Sequence, residues 1–438
     1  MNTEAIKKAV AEAAALYGAE SYEIVIHAEE SAGAEALKDE ISSVSYSRSS
    51  TMQIRCVVAG KSGYAVSELV TPEAAAQLVE QACANAAVID DADEVPLFPG
   101  SERYETVSDV VPQLPSADEM KAHTLDLQTK TYAASGKIVD GTQCFTSGVK
   151  ENRALMNSAG LDLSYECGLV YHGVAAAVKD GEDAADKYFV GELSKTTPQE
   201  AVEKAVTGAL SKLGADTVDS GKYNVIMDSR TVSSMLAVYS TVFSARSAYM
   251  KTTLLAGKEG EVVASPNVTI VDDPFYPEKY DHCPFDGEGV AVYTKNVVEN
   301  GVLNTLLYNR MYAKLLGKET TGNASDAKTI SPKGLYIAPG ELSGDALLER
   351  LGDGLYITGL NGLHAGANTQ SGDFSLQAEG FLVEGGKKTR PLKNFTIADN
   401  FFTLIKKVDA IGDKVEFGTG SNVGAPEVLF TDISVSGK

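Results

Sequence analysis

The chain contains 438 residues, enough for about two or three domains, and its 44% hydrophobic and 22% charged residues are ordinary for a soluble globular protein. Its net charge of −22, which no Lys/Arg-rich run offsets, repels phosphate backbones and argues against nucleic acids or anionic membranes as partners. No apolar run approaches the roughly 18 residues that a transmembrane helix needs.

The N-terminal residues and the cysteines indicate a cytoplasmic location. The sequence opens with MNTEAIKK and continues into an Ala-rich amphipathic helix, without the apolar core of a secretory signal. Five cysteines are too few and too scattered for a disulfide framework or a zinc ribbon, so we expect reduced and mostly buried thiols. They are Cys56, Cys83, Cys144, Cys167 and Cys283.

The first 220 residues repeat one plan of helix, strand meander and helix. In the first copy we predict, in order, a helix, three strands and a helix at 3–17, 22–27, 52–58, 64–67 and 72–87. The second copy opens with a capping box at Ser116 and Glu119 and closes with a helix that a second box at Thr197 and Glu200 begins. We therefore predict two N-terminal domains of α/β character, 1–105 and 106–220.

The remainder, 221–438, predicts a β-rich domain with a few helices, because glycines and hairpin turns become frequent. It opens with a strand at 223–227 and a helical pattern in the stretch TVSSMLAVYSTVFSARSAYM, residues 231–250. Short helices are predicted near 308–316, 343–351 and 399–411. The fold class is therefore α+β.

Standard catalytic motifs are absent from the sequence. It has no G-x-S-x-G elbow, no Walker A loop and no H-E-x-x-H motif. His282 and Cys283 could supply two metal ligands, although neighbouring residues rarely form a site alone. His364 lies in a Gly-rich loop and is the best functional candidate, with loop structure as the favoured alternative. Asp373 is interpreted as a turn acceptor rather than a general base.

Four stretches together resemble one known family. They are CPFDGEGV at 283–290, NTQSGDFSLQAEGFLVEGGK at 368–387, FTIADNFFTLIKKVDAIGD at 395–413 and APEVLFTDISVSG at 425–437. Their order and spacing resemble the TldD/PmbA family, whose PmbA branch is also called TldE and is labelled a modulator of DNA gyrase. The resemblance implies an N-terminal α/β portion followed by a β-rich C-terminal domain.

The resemblance also implies a comparison for the helix at 231–250. In the TldD branch this helix carries H-E-x-x-x-H, which supplies two zinc ligands and a base, and a C-terminal cysteine completes the site. Aligned on that motif, Ala237 and Val242 occupy the histidine positions and Val238 the glutamate position. Neither Ala nor Val has a lone pair for zinc, and no cysteine follows Cys283. The chain thus resembles the PmbA/TldE branch, with no cofactor of its own.

Three hypotheses for the function follow. The first is a non-catalytic subunit of a heteromeric metalloprotease, with zinc on a TldD-like partner and an extended or unfolded peptide as substrate. The second is an independent, homodimeric peptide-binding or regulatory protein. The third is an enzyme that uses His282, Cys283 and His364. Under the first, the peptide-binding or family-motif loop would contain His364, Asn368, Gly372, Asp373, Phe374 and Ser375.

Overall fold

The computed structural model describes residues 3–89, 95–107 and 111–438. Within these ranges the first half shows four α-helices and six strands, and each copy of the predicted plan contributes two helices and three strands. The first copy consists of α1 (Thr3–Tyr17), β1 (Ser21–Leu37), β2 (Glu40–Val58), β3 (Lys61–Ser67) and α2 (Pro72–Ala87). The second consists of α3 (Ala117–Ala134), β4 (Gln143–Asn157), β5 (Asp162–Asp180), β6 (Asp183–Glu192) and α4 (Pro198–Leu210). The predicted repetition is confirmed.

Both copies share one antiparallel sheet of six strands, in the order β3-β2-β1-β4-β5-β6. The central pair β1 and β4 runs in unbroken register from Glu23 opposite Asn157 to Leu37 opposite Gln143. Helices α1 and α2 form one apolar core with β1, β2, β3 and the end of β4, and α4 forms a second core with α3, β4 and β5. Helix α3 lies across the central pair, because it packs on β1 of the first copy as well as on β4. The boundaries at 105 and 220 stay predictions, and the first of them falls between α2 and α3.

Helix starts in this half follow from side-chain caps. The Ser116 hydroxyl accepts from the Glu119 amide at 3.3 Å, while a Glu119 carboxylate oxygen accepts from the Ser116 amide at 2.8 Å. Thr197 and Glu200 repeat the arrangement with the same distances. Each box satisfies amides that have no partner inside the helix, so both predicted capping boxes are confirmed.

Strands β1 and β2 are much longer than the sequence predicts. They continue through a polar stretch, because every residue from 21 to 35 pairs with a residue of β2. Serines and glutamates in this stretch give no apolar alternation, so the strand pattern ends early when the sequence is read alone.

The C-terminal half contains twelve strands and six α-helices. Its elements are β7 (Gly221–Met227), α5 (Ser229–Tyr239), α6 (Ala245–Tyr249), β8 (Ile270–Asp272), β9 (Lys295–Glu299), β10 (Val302–Leu303), α7 (Arg310–Leu316), β11 (Leu335–Ile337), α8 (Gly344–Leu351), β12 (Gly354–Asn361), α9 (Leu363–Gly366), β13 (Asp373–Glu384), β14 (Lys387–Asn400), α10 (Phe401–Leu404), β15 (Val408–Ile411), β16 (Glu416–Phe417), β17 (Val423–Ala425) and β18 (Val428–Ser436).

These strands form two six-stranded sheets around one large apolar core. The orders are β10-β9-β8-β11-β17-β16 and β14-β13-β12-β7-β18-β15. Because β14 also pairs with β18, five strands of the second sheet close into a ring. The α+β class, with a β-rich C-terminal half, is confirmed. Among residues 3–89, 95–107 and 111–438, no helix combines the length and apolar character that a bilayer crossing requires.

Two predicted helices are wrong in extent. The pattern at 231–250 is divided into α5, a 3-10 turn at Ser240–Phe243 and the short α6. The division occurs where the Leu307 amide donates to the Phe243 carbonyl at 2.8 Å and the Ala245 amide donates to the Leu307 carbonyl at 2.9 Å. The predicted helix at 399–411 is reduced to α10, and its second half is strand β15, paired with β18. In both places pairing with a distant segment overrides the helical pattern.

Candidate functional site

Helix α5 begins directly at the end of β7 and lies over the C-terminal core. The Asp228 carboxylate caps it by accepting from the Thr231 amide at 2.8 Å. One face, with Met235, Leu236 and Tyr239, is buried in the core. Its serines bond within the helix, because the Ser233 hydroxyl donates to the carbonyl four residues earlier. The hydroxyls of Ser233 and Ser234 therefore serve the helix itself.

The positions aligned with the family's zinc ligands carry hydrocarbon side chains in three different environments. Ala237 is exposed, Val238 is half-buried, and Val242 is 1% exposed in the 3-10 turn beyond the helix. None offers a lone pair to a metal, and burial of Val242 in the core leaves no space for a ligand there. The residues at this place do not fit zinc. Their alignment with the family's ligands stays a prediction.

The predicted loop lies against α5, and one tyrosine joins the two. The Tyr239 hydroxyl donates to the carbonyls of Gly372 and Asp373, each at 3.1 Å. Its ring stacks on Phe401 with centroids 4.4 Å apart and planes 7° apart. Burial, together with the nearby Asp373 charge, raises the pKa of Tyr239 to about 12. Tyr239 therefore stays a neutral donor that fixes the loop on the helix.

Within the loop the turn acceptor is Asn368, not Asp373 as the sequence suggests. The Asn368 side-chain oxygen accepts from the amides of Gln370 at 2.9 Å and Ser371 at 3.1 Å. The Asp373 carboxylate instead accepts from the Asn400 amide group at 2.9 Å. Hydrogen bonds from Asn400 and Ser371 lower the pKa of Asp373, so it is a structural anion rather than a base poised near neutral pH.

Gly372 occupies a position that no other residue fills without strain. Its φ is +87°, and a Cβ added there would lie 2.5 Å from Cδ2 of Phe402. The Gly372 carbonyl also accepts from the Phe401 amide at 2.7 Å. The glycine is therefore required by close packing of α10 on the loop.

The remaining loop residues do not converge on a catalytic centre. His364 and Ser375 are exposed, and Phe374 is buried in the core. In the described part of the chain, no side chain hydrogen-bonds to the His364 ring. His282 lines a cavity of about 580 Å³ and Cys283 lines one of about 260 Å³, while His364 lines neither. The three residues of the third hypothesis are not brought together.

An open backbone edge beside α5 escaped prediction. Strand β12 pairs with β7 only through Leu355, Tyr356 and Ile357, because β7 ends where α5 begins. Beyond that point residues 358–361 line a cavity of about 220 Å³ whose opposite wall includes Thr231 and Ser234 of α5. The Thr231 hydroxyl is buried there without a hydrogen-bond partner. Only the β7–β12 register reveals this edge, and the sequence carries no local pattern for it.

One group of possible metal donors lies elsewhere, on the N-terminal sheet. In the residues that the structure covers, only His27, Glu29 and Glu151 bring three or more ligand atoms within 4.8 Å of one another. The Arg153 guanidinium, however, donates to Glu151 at 2.9 Å and would repel a cation. Although burial favours the neutral acid, hydrogen bonds from His27 and Arg153 lower the pKa of Glu151. The group is an ion-pair cluster of the sheet.

The chain with this fold, and with this junction between α5 and the loop at 364–375, also matches known family patterns. Three successive family patterns match it: PmbA/TldA metallopeptidase domain 1 at residues 22–86, the central domain at 112–213 and the C-terminal domain at 220–437. The chain belongs to the PmbA/TldD family of metallopeptidase-like proteins.

Known relatives agree with this assignment. A metalloprotease of Methanothermobacter thermautotrophicus is 30% identical over 248 residues, which cover 55% of this chain and 52% of that protein. A metalloprotease PmbA homolog of Haemophilus influenzae is 27% identical over 330 residues, 73% of this chain and 70% of that protein. The match thus spans about half the length of the first relative.

Two solved structures share the whole fold. A Thermotoga maritima protein described as a candidate modulator of a DNA gyrase superimposes with a TM-score of 0.91 at 27% identity, covering 99% of this chain and 100% of that one. TldE of Thermococcus kodakarensis gives a TM-score of 0.88 at 22% identity with the same coverage, which shows the fold alone.

Proposed function

We propose that this chain is the non-metal-binding subunit of a TldD/TldE-type heteromeric metalloprotease that acts on extended or unfolded peptides. The observation that carries the proposal is the set of hydrocarbon side chains at Ala237 and Val238 on α5 and at Val242 in the turn that follows it. The inner face of this helix remains packed into the core. Such a helix retains the scaffold of a catalytic element without its chemistry.

In this proposal zinc is bound by a TldD-like partner, where the metal would activate the water that attacks the peptide bond. The present chain contributes binding. The free edge of β12 at residues 358–361 offers backbone groups to an extended peptide by strand addition, which needs no particular side-chain sequence. The unpartnered Thr231 hydroxyl on the opposite wall supplies a further polar contact.

A hydrophobic surface supports the partnership. Just beyond α5, Tyr249, Met250 and Leu254 expose 47%, 57% and 58% of their surfaces, and α7, which packs on α6, adds exposed Leu315 and Leu316. Exposed apolar side chains gathered on neighbouring segments are typical of protein interfaces. We propose that the partner subunit covers this surface. Five free thiols are consistent with assembly in the cytoplasm.

Copurification tests the subunit role. The tagged chain is recovered from its own cells, and its partners are identified by mass spectrometry. We expect a stoichiometric partner that carries H-E-x-x-x-H and binds zinc. The double variant Met250→Glu, Leu254→Glu should lose it, whereas Leu16→Glu, at a position 76% exposed on α1, should retain it. Recovery of this chain alone as a homo-oligomer would contradict the proposal and favour the independent binding protein.

Peptide binding is tested separately with a fluorescent extended peptide and the purified chain. Ser234→Trp should fill the cavity beside β12 and abolish binding. Ser211→Trp is the matched control, because each serine hydroxyl bonds a carbonyl of its own helix at 2.8 Å. Equal peptide binding by both variants would contradict the proposal that the β12 edge binds peptide. DNA gyrase modulation is not proposed, since the net charge of −22 repels DNA.

A further inference from the structure

A cavity of about 260 Å³ lies between the N-terminal sheet and the C-terminal half, away from α5 and its loop. Arg153 and Tyr165 line it from the sheet, and the segment 279–287 lines it from the other side. None of its lining residues belongs to the helix–loop junction or to the β12 edge. It is therefore a separate place in the molecule.

The cavity contains a buried lysine without a counter-charge in contact. Lys279 is only 4% exposed, and within residues 3–89, 95–107 and 111–438 no side chain forms an ion pair or hydrogen bond with its ammonium group. Burial lowers the pKa of Lys279, which reflects the cost of its charge there. A buried cation of this kind calls for an anionic ligand.

The same cavity contains acceptors without donors. One carboxylate oxygen of Asp281 and the side-chain oxygen of Asn422 are buried and unpartnered among the described residues. Both residues line the cavity with Lys279. A buried acceptor that lacks a hydrogen bond is costly, so these oxygens call for a ligand that donates N–H groups.

The other charged groups of the lining already have partners. The buried Asp286 carboxylate accepts from the backbone amides of Glu288, Val290 and Ala324. The Arg153 guanidinium donates to Glu151 at 2.9 Å, and the Lys333 ammonium donates to the Ala324 carbonyl at 2.9 Å. These two cations, together with Lys279, disfavour a metal ion, while the carboxylate of Asp281 disfavours a simple anion. The unpartnered Lys279 ammonium and Asp281 oxygen together require a ligand that has both a negative and a positive group.

We propose that this cavity binds a free α-amino acid as a zwitterion. The Lys279 ammonium would bind the ligand's carboxylate, and the side-chain oxygens of Asp281 and Asn422 would accept hydrogen bonds from its ammonium group. Tyr165 and Phe285, in edge contact with centroids 5.4 Å apart, provide an apolar wall for the side chain. At about 30 Å³ for each water molecule, 260 Å³ corresponds to roughly nine waters, which suits one amino acid.

The proposal goes beyond the protease role and does not depend on it. An amino acid bound between the two halves would stabilise the folded chain, because it binds the folded state alone. Because the site involves no residue of the β12 edge, loss of peptide binding by Ser234→Trp leaves this prediction unchanged.

Calorimetry with the full-length chain and a panel of free amino acids tests the proposal. For the tightest ligand, the N-acetyl derivative removes the ammonium charge and the carboxamide removes the carboxylate. We expect each to bind at least about tenfold more weakly, since hydrogen bonds to charged groups have such effects. A dipeptide should bind weakly as well. Absence of binding by any amino acid, or equal binding of the derivatives, would overturn the proposal.

Two variants locate the site. Lys279→Met and Asp281→Asn should each weaken binding by at least about tenfold. Lys406→Met, at an exposed lysine, is the control and should bind as the wild type does. Thermal melting shows whether each variant is folded, and the derivative experiment requires no variant. Unchanged affinity in folded Lys279→Met would also overturn the assignment.

Discussion

The hydrogen bonds that join helix α5 to the loop can be removed by deleting a single oxygen atom. Tyr239→Phe deletes the hydroxyl that donates to the carbonyls of Gly372 and Asp373 and keeps the ring on Phe401. Both carbonyls retain another donor, because the Phe401 amide bonds the first and the Asn368 amide bonds the second. The variant therefore loses hydrogen bonds without leaving any carbonyl unpartnered.

The expected cost follows from that geometry. One shared hydroxyl, bonded to two carbonyls that remain satisfied, contributes about 1 to 2 kcal/mol to the free energy of unfolding. For a domain of about 150 to 250 residues, such a loss lowers Tm by roughly 3 to 6 °C. The amides of Asn368 and Gly372 should also exchange faster with solvent, because the loop loses its attachment to the helix.

Thermal melting followed by circular dichroism, with hydrogen exchange, measures both effects. Tyr223→Phe is the matched control, because this half-buried tyrosine makes one solvent-exposed hydrogen bond, from its hydroxyl to the Asp219 carbonyl at 3.0 Å. We expect that variant to change Tm by less than about 2 °C. If Tyr239→Phe lowers Tm no more than Tyr223→Phe and leaves loop exchange unchanged, Tyr239 does not anchor the loop.

Three further predictions concern stability. Gly372→Ala should lower the free energy of unfolding, measured with urea, by about 3 kcal/mol. The new Cβ would combine a positive φ with a contact of 2.5 Å to the Phe402 ring. Asp272→Asn should lower the free energy of unfolding by roughly 3 to 5 kcal/mol in the same assay. The reason is that the buried Lys295 ammonium, 3.1 Å from the Asp272 carboxylate, loses its counter-charge. Burial, together with His123, lowers the pKa of His172 from 6.5 to about 4. Between these pH values the unfolded state binds more protons than the folded state, so the free energy of unfolding should fall by up to about 3 kcal/mol as the pH decreases from 6.5 to 4. His172→Asn should flatten that part of the pH profile.

Each of these has a control. Gly18→Ala changes a glycine at φ +72° with no atom within 4 Å of the new Cβ, so it isolates backbone strain from the clash. Asp409→Asn breaks a partly exposed pair with Arg350 and should cost about 1 kcal/mol or less. His364→Asn, at an exposed histidine, should change the free energy of unfolding by less than about 0.5 kcal/mol. Effects of the controls equal to those of the test variants would contradict the structural reasons given.

Local patterns in the sequence determined where many elements begin. Ser116 and Thr197 cap α3 and α4 through hydrogen bonds to residues three positions away, and Asp228 does the same for α5. Such contacts are encoded in neighbouring residues, so they are visible without a fold. The repeated plan was likewise enough to predict the fold class, and the motifs from 283 onward were enough to predict the family. The lack of metal-ligating atoms at 237, 238 and 242 is a property of the residues themselves.

The tertiary structure decided what lies together. Tyr239 and Gly372 are 133 residues apart, and no local pattern links them. The length of β1 and the end of α5 depend on pairing with β2 and with Leu307, because distant backbone partners can replace an element's own preference. The free edge of β12 and the buried Lys279 exist only through the register of separate segments. The starts of helices follow from neighbours in sequence, whereas the lengths of elements and the sites of this protein arise from contacts that only folding creates.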